Sequence, residues 1–186
     1  MSISVASATI LGAKVQNLSS PPAYEAFRGG VVLGTGDLEK RLRHSRAGVI
    51  ADGFADGFAP DVEYSHRIKG EWVYGGFIYP HFGHFMSEVV HRIVASRLLH
   101  PGVKFLFAGG WSPEPTSTIE QVPTALRDIL QLLEIDGSNA IVVNQPAIVD
   151  RLHVVEQADD LGGAKDGYLD AAGRLHRRPH QSRNRR

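Results

Sequence analysis

The 186-residue chain contains no cysteine, so neither a disulfide framework nor a thiolate metal site is open to it. No apolar run approaches the length that crosses a bilayer. The first residues, Met-Ser-Ile-Ser-Val-Ala-Ser-Ala, lack the basic start and the apolar stretch of a secretory leader. Together these absences lead to the expectation of a cytoplasmic protein with no transmembrane segment. Net charge is absent as well, with 20 basic residues against 20 acidic ones. The balance hides an asymmetry. Arg174, Arg177, Arg178, Arg183, Arg185 and Arg186 fall within the last thirteen residues, with no acid among them. Setting these six aside leaves 14 basic residues against 20 acidic, an acidic body at −6. Such a body speaks against nucleic-acid binding, and the tail reads as a solvated basic segment.

What is present is enough to build a core: 42% of the residues are hydrophobic and 8% aromatic. The length fits one domain with extensions. Residues 1–29 read as an irregular extension, with Ser19-Ser20-Pro21-Pro22 as a connection and Gly29-Gly30 as a turn. Val31-Val32-Leu33 is a candidate strand, and Asp37 to His44 a short exposed helix. Asp52-Gly53-Phe54 echoes as Asp56-Gly57-Phe58, which suits two tight turns better than a calcium loop. Val62, Tyr64, His66 and Ile68 alternate with polar residues as in a strand, Lys69-Gly70 reads as a hairpin-like turn, and Trp72 to Ile78 as a second strand. Phe82, Phe85, Met86, Val89, Val90, Ile93, the stem of Arg97 and Leu98 form one apolar helical stripe, ended by Pro101-Gly102. Val103 to Ala108 is a buried strand. A helix follows from Pro123, with Leu126, Ile129, Leu130 and Leu133 on its apolar face and Gly137 beyond its end. Ala140–Val143 and Ala147–Val155 read as two more strands. Strand, helix, strand implies parallel pairing with a right-handed crossover. The expected fold class is therefore α/β, in Rossmann-like layers over residues 30–157, followed by a weakly structured tail over 158–186.

One segment carries chemistry. His81, His84, Glu88 and His91 are spaced three, four and three residues apart, and Arg92 flanks them, so one side of a helix gathers imidazoles, a carboxylate and a guanidinium. Tyr74-Gly75-Gly76-Phe77 leads into it, and glycines there would let a ligand or a backbone approach closely. His84 and Glu88, one turn apart, could form a general base with its orienting carboxylate. Alternatively, the histidines serve buried backbone groups at a strand–helix junction. A third reading is a zinc-dependent hydrolase using His81, His84 and Glu88, although their spacing matches neither the zincin motif nor its inverse.

The run Gly75-Gly76-Phe77, then His81-Phe82-Gly83-His84-Phe85-Met86-Ser87-Glu88, then Arg92, resembles the signature of glycosyltransferase family 61, the DUF563-type domain. Phe105 to Gly110, Leu132 to Ile135, Ile141 to Val143 and Leu152 to Gln157 fit the same pattern, so the resemblance covers roughly residues 30–157. It implies the N-terminal half of a GT-B architecture, two Rossmann-like halves facing a cleft. It implies inverting transfer of a sugar from a nucleotide donor to an acceptor hydroxyl in glycan or polysaccharide biosynthesis, with no cofactor and no metal–diphosphate motif. The nucleotide sugar and the glycan acceptor are the implied partners. His84 would be the base, Glu88 its partner, and His81, Arg92, Tyr74, Gly75 and Gly76 substrate-side contacts. The family continues further than this pattern does. The expectation is thus a truncated or split enzyme that lacks its donor-binding half and is inactive alone, with a separate C-terminal half or self-association to complete it. A non-catalytic binding or assembly fragment is the alternative from another class.

Overall fold

The computed structural model describes residues 6–17, 29–32, 37–43, 45–46, 49–50, 63–64, 66–78, 81–109 and 112–158. They form an α/β fold around a mixed seven-stranded sheet. The strands are β1 (Ser7–Asn17), β2 (Gly29–Val31), β5 (His66–Phe77), β6 (Lys104–Ala108), β7 (Thr116–Ser117), β8 (Ala140–Val143) and β9 (Ala147–Val155), in the order β2-β1-β9-β5-β6-β8-β7. The four inner strands β9, β5, β6 and β8 pair in parallel. β1 and β2 on one side and β7 on the other are antiparallel. Two-residue strands β3 (Ser45–Arg46) and β4 (Val49–Ile50) form a separate ribbon after helix α1 (Asp37–Leu42).

The first crossover is helical. Helix α2 (Phe82–His84) runs through a π-helical turn (Phe85–Val89) into α3 (Val90–Leu99). The second comprises a 3₁₀ turn (Ile119–Gln121) and helix α4 (Thr124–Leu132). Both crossovers pack on one face, where Val73, Phe105, Phe107, Ala140 and Val142 meet Phe85, Val89, Ile93, Leu126 and Leu130. Intervening residues of the same strands, Tyr74, Leu106, Ala108 and Val143, serve a second core cluster on the opposite face, as a side-chain period of two requires. Each buried aromatic or branched side chain contributes about 1.5–3 kcal/mol.

The sheet is strongly bent. The end of β8 lies level with Phe77 through Ala108, whereas the start of β9 lies level with His66. A flat sheet would separate those levels by about 36 Å at the usual strand rise. The connecting link, Asn144 to Pro146, reaches about 15 Å. The bend follows from two bulges in β5, between Ile68 and Glu71 and between Tyr74 and Gly76. Gly70 and Gly76 hold positive φ there, at 90° and 117°. β1 turns with it: Ala8 and Ile10 reach the second cluster from even positions, Ala13 and Val15 from odd ones, on either side of Gly12.

Several expectations are corrected. Lys69-Gly70 is no hairpin, because β5 continues through it. The Asp150 carboxylate of β9 accepts from the Gly70 amide at 3.1 Å and from Arg67 Nε at 2.7 Å, fastening the bulge in place. Residues 7–17 of the supposed irregular extension form β1, which pairs along most of β9. α4 ends earlier than Gly137 suggested: Glu134 takes the left-handed conformation, φ 55°. Its carbonyl accepts from Arg97 Nη2 at 2.8 Å. Ala140–Val143 and Ala147–Val155 form the strands expected, and Leu126 and Leu130 bury the expected face of α4. Leu33, both Asp-Gly-Phe turns, Val62 and the basic tail lie outside the described residues. Among the described residues, no helix is long and apolar enough to cross a membrane.

Candidate functional site

The histidine segment starts just past the end of β5, where the chain turns back along the sheet. His81 caps the new helix: its Nδ1 accepts from the His84 amide at 3.4 Å, and its carbonyl accepts from the Phe85 amide at 3.0 Å. Ser87 Oγ adds a bond to the Gly83 carbonyl at 2.9 Å. His81 thus serves a backbone group at the helix start, but an exposed one rather than the buried group the second sequence reading supposed.

The other polar contact in the segment pairs two side chains. His84 Nδ1 lies 3.0 Å from Glu88 Oε1, and the Glu88 side chain is fully buried while that of His84 keeps 29% of its exposure. An ionised carboxylate only accepts hydrogen bonds, so opposite an ionised Glu88 the His84 Nδ1 is the donor. The result is a half-buried imidazole held against a buried carboxylate. The His81 ring lies against it, centroids 4.5 Å apart and tilted by 41°.

The π turn matters here. A widened turn departs from the 100° step assumed in reading the stripe. Phe85, Val89 and Ile93 are buried as expected, but Phe82 stays 60% exposed and Met86 37%. Glu88, placed on the polar stripe by sequence, is instead buried. Among the described residues, no three His, Asp or Glu side chains converge as a metal group. His81, His84 and Glu88 thus do not assemble as the hydrolase reading required.

Arg92 stands apart from the dyad's outer side. It is buried and donates through Nη2 to the carbonyls of Leu42 and Arg43, both at 3.1 Å, and to Gln157 Oε1 at 3.4 Å. Its guanidinium lies 5.4 Å from the centre of the buried Tyr74 ring. These contacts tie α3 to the C-terminal end of α1 and to the end of β9, and a cation suits a helix C-terminus. Gly75 and Gly76 are also buried. A β-carbon at Gly75 would stand 2.2 Å from the Phe107 ring, and Val89 lies against Gly76. The close approach that these glycines permit is made by the protein's own core. Of the residues singled out in the sequence, the structure thus brings His81 and His84 together at the surface, with Glu88 buried beneath His84. Tyr74, Gly75, Gly76 and Arg92 lie behind it in the interior. The partners of Arg92 could not be read locally, because Leu42 and Gln157 lie 50 and 65 residues away.

No protein-family model, no curated protein and no solved structure matches the chain.

Proposed function

We propose that this domain is a glycosyltransferase-type module of the family 61 kind, in which His84 deprotonates an acceptor hydroxyl. The observation that carries the reading is the 3.0 Å contact between His84 Nδ1 and the fully buried Glu88 carboxylate. The acceptor O–H would donate to Nε2. As its oxygen bonds to the anomeric carbon, the bond from that carbon to the departing nucleotide breaks on the opposite face. The proton ends on His84, and Glu88 balances the imidazolium. Inversion follows from displacement on the opposite face.

Two features support this assignment. The dyad follows the C-terminal end of a parallel strand, the end where α/β sheets collect their ligands. The parallel strands also run β8-β6-β5-β9, which in chain order is third, second, first, fourth. That is the opening order of the doubly wound nucleotide-binding sheets, in keeping with a Rossmann-like half. The three-residue β8–β9 link departs from that fold, which places a helix there.

In this reading the site handles both a nucleotide donor and a hydroxyl acceptor. The test therefore measures both sides: calorimetric titration with nucleotides and nucleotide sugars, and sugar transfer to a glycan acceptor panel. Saturable binding, and transfer reduced about a hundredfold or more in His84→Ala, is the expected result. Transfer that persists in the His84→Ala/Glu88→Ala double variant sinks the assignment of roles. Absence of both binding and transfer removes the enzymatic reading for this chain and leaves a non-catalytic binding module.

A further inference from the structure

A second polar cluster lies on another part of the sheet and shares no residue with the dyad. Thr9 of β1 and His153 of β9 are directly paired across the antiparallel ladder. Thr9 Oγ1 is 2.8 Å from His153 Nδ1, and His153 Nε2 is 2.6 Å from Glu71 Oε1 on β5. His153 is buried, whereas Thr9 is exposed. The imidazole of His100, at the end of α3, stacks on His153 with centroids 4.2 Å apart, and Ser7 Oγ lies 3.2 Å from His100 Nε2. Arg151 Nη1 stands 3.8 Å from Glu71 Oε1.

The hydrogen bond from His153 holds the Glu71 carboxyl below its ordinary range, with help from the charges nearby. The ionised carboxylate accepts, so Nε2 donates. When the ring is neutral, Nδ1 is then the acceptor and the Thr9 hydroxyl donates to it. A hydroxyl bonded to a base that is itself oriented by a carboxylate is the arrangement of an activated nucleophile. We propose that Thr9, His153 and Glu71 form a second reactive site that accepts acyl groups from activated esters.

Two further features fit an acyl substrate. Leu11, the next residue on the Thr9 face, is 71% exposed and offers apolar ground for an acyl chain. Among the described residues, β2 pairs with β1 only from Val15 to Asn17, so beside Thr9 the outer edge of β1 carries main-chain N–H groups that no described strand takes. Such groups can meet a developing oxyanion. In the reaction, Thr9 Oγ1 bonds to the acyl carbon while its proton passes to His153 Nδ1. The bond from acyl carbon to the leaving alkoxide or phenolate breaks, and the leaving group takes up that proton. Water, deprotonated by the same nitrogen, then bonds to the acyl carbon; the bond from that carbon to Thr9 Oγ1 breaks, Oγ1 takes the proton back from His153, and the acid leaves.

The test uses p-nitrophenyl acetate with the whole chain, reading p-nitrophenolate release and locating acetyl groups by peptide mass. One acetyl on Thr9 is expected. It should be lost in Thr9→Val, an isosteric change at an exposed strand position, and slowed about a hundredfold in Glu71→Gln and in His153→Gln. Glu71 is half-exposed, so its variant keeps the test informative where the buried His153 variant fails to fold. Acetyl groups confined to lysines, acetylation of Ser7 in place of Thr9, an unchanged rate in Glu71→Gln, or equal labelling of urea-unfolded chain would each overturn the proposal.

Discussion

At the scale of single residues, the same residue type does different work according to its surroundings. Gly75 and Gly70 make the contrast sharply. A methyl at Gly75 meets the ring of fully buried Phe107, whereas at Gly70 no atom lies within 4 Å and only the positive φ resists. Gly75→Ala is therefore expected to lose about 3 kcal/mol or more through overpacking, and Gly70→Ala about 1 kcal/mol through backbone strain. Urea unfolding of the two variants measures the difference, and Phe107→Leu should recover part of the first loss but none of the second. Arg92→Gln removes a buried cation from two carbonyls and an amide oxygen, and should cost about 2–4 kcal/mol by the same measurement. The dyad was legible in sequence because its spacing is local: four residues on one helix bring His84 to Glu88. The interior roles of Gly75 and Arg92 were not, since their neighbours come from distant segments.

At the scale of elements, the helix ends and the bends decide what could be read. Just past the end of α4, Glu134 takes a conformation that suits glycine, held by Arg97 through Glu134's exposed carboxylate and its carbonyl. Glu134→Gly releases the strain and keeps the carbonyl bond, losing only a surface ion pair worth little. A melting curve should show it unchanged or more stable by up to about 1 kcal/mol. The end of α3 has its own titration. Burial, reinforced by the charge of His153, holds the His100 imidazole below its ordinary range. The unfolded chain then binds protons more readily than the folded one, so stability is full above about pH 6.5 and falls as the pH drops below it. Glu71, also held low, adds to the fall at more acid pH, because its contribution is lost as the carboxylate protonates. Urea midpoints measured from pH 8 to pH 5 should decline accordingly, and less steeply in His100→Asn. Strands that sit between others, such as β6 and β8, announce themselves as apolar runs. β1 does not, because its inward-facing positions change parity at Gly12, and an alternation that slips by one looks like no alternation at all. The π turn defeated the stripe in a similar way, exposing Phe82 where a regular helix would have buried it.

At the scale of the whole molecule, the α/β class was legible from alternating strand and helix patterns, and the sheet order was not. Order depends on which distant strands meet, and β1, taken for an extension, proves to be the antiparallel partner of β9. A chain starting after Asn17 would bare one side of β9 and remove Ala13 and Val15 from the second core cluster. Such a chain is expected to aggregate, which size-exclusion chromatography would reveal as loss of the included peak. The position of β9 carries one more consequence. It is the last of these strands to be synthesised, yet it lies between β1 and β5. On a ribosome, β1 must wait for roughly ten seconds or longer, at ordinary elongation rates, before its long-range partner exists. Through that interval the nascent chain holds one finished edge with nothing to close it, so its yield in a cell should depend on how well chaperones shield that edge.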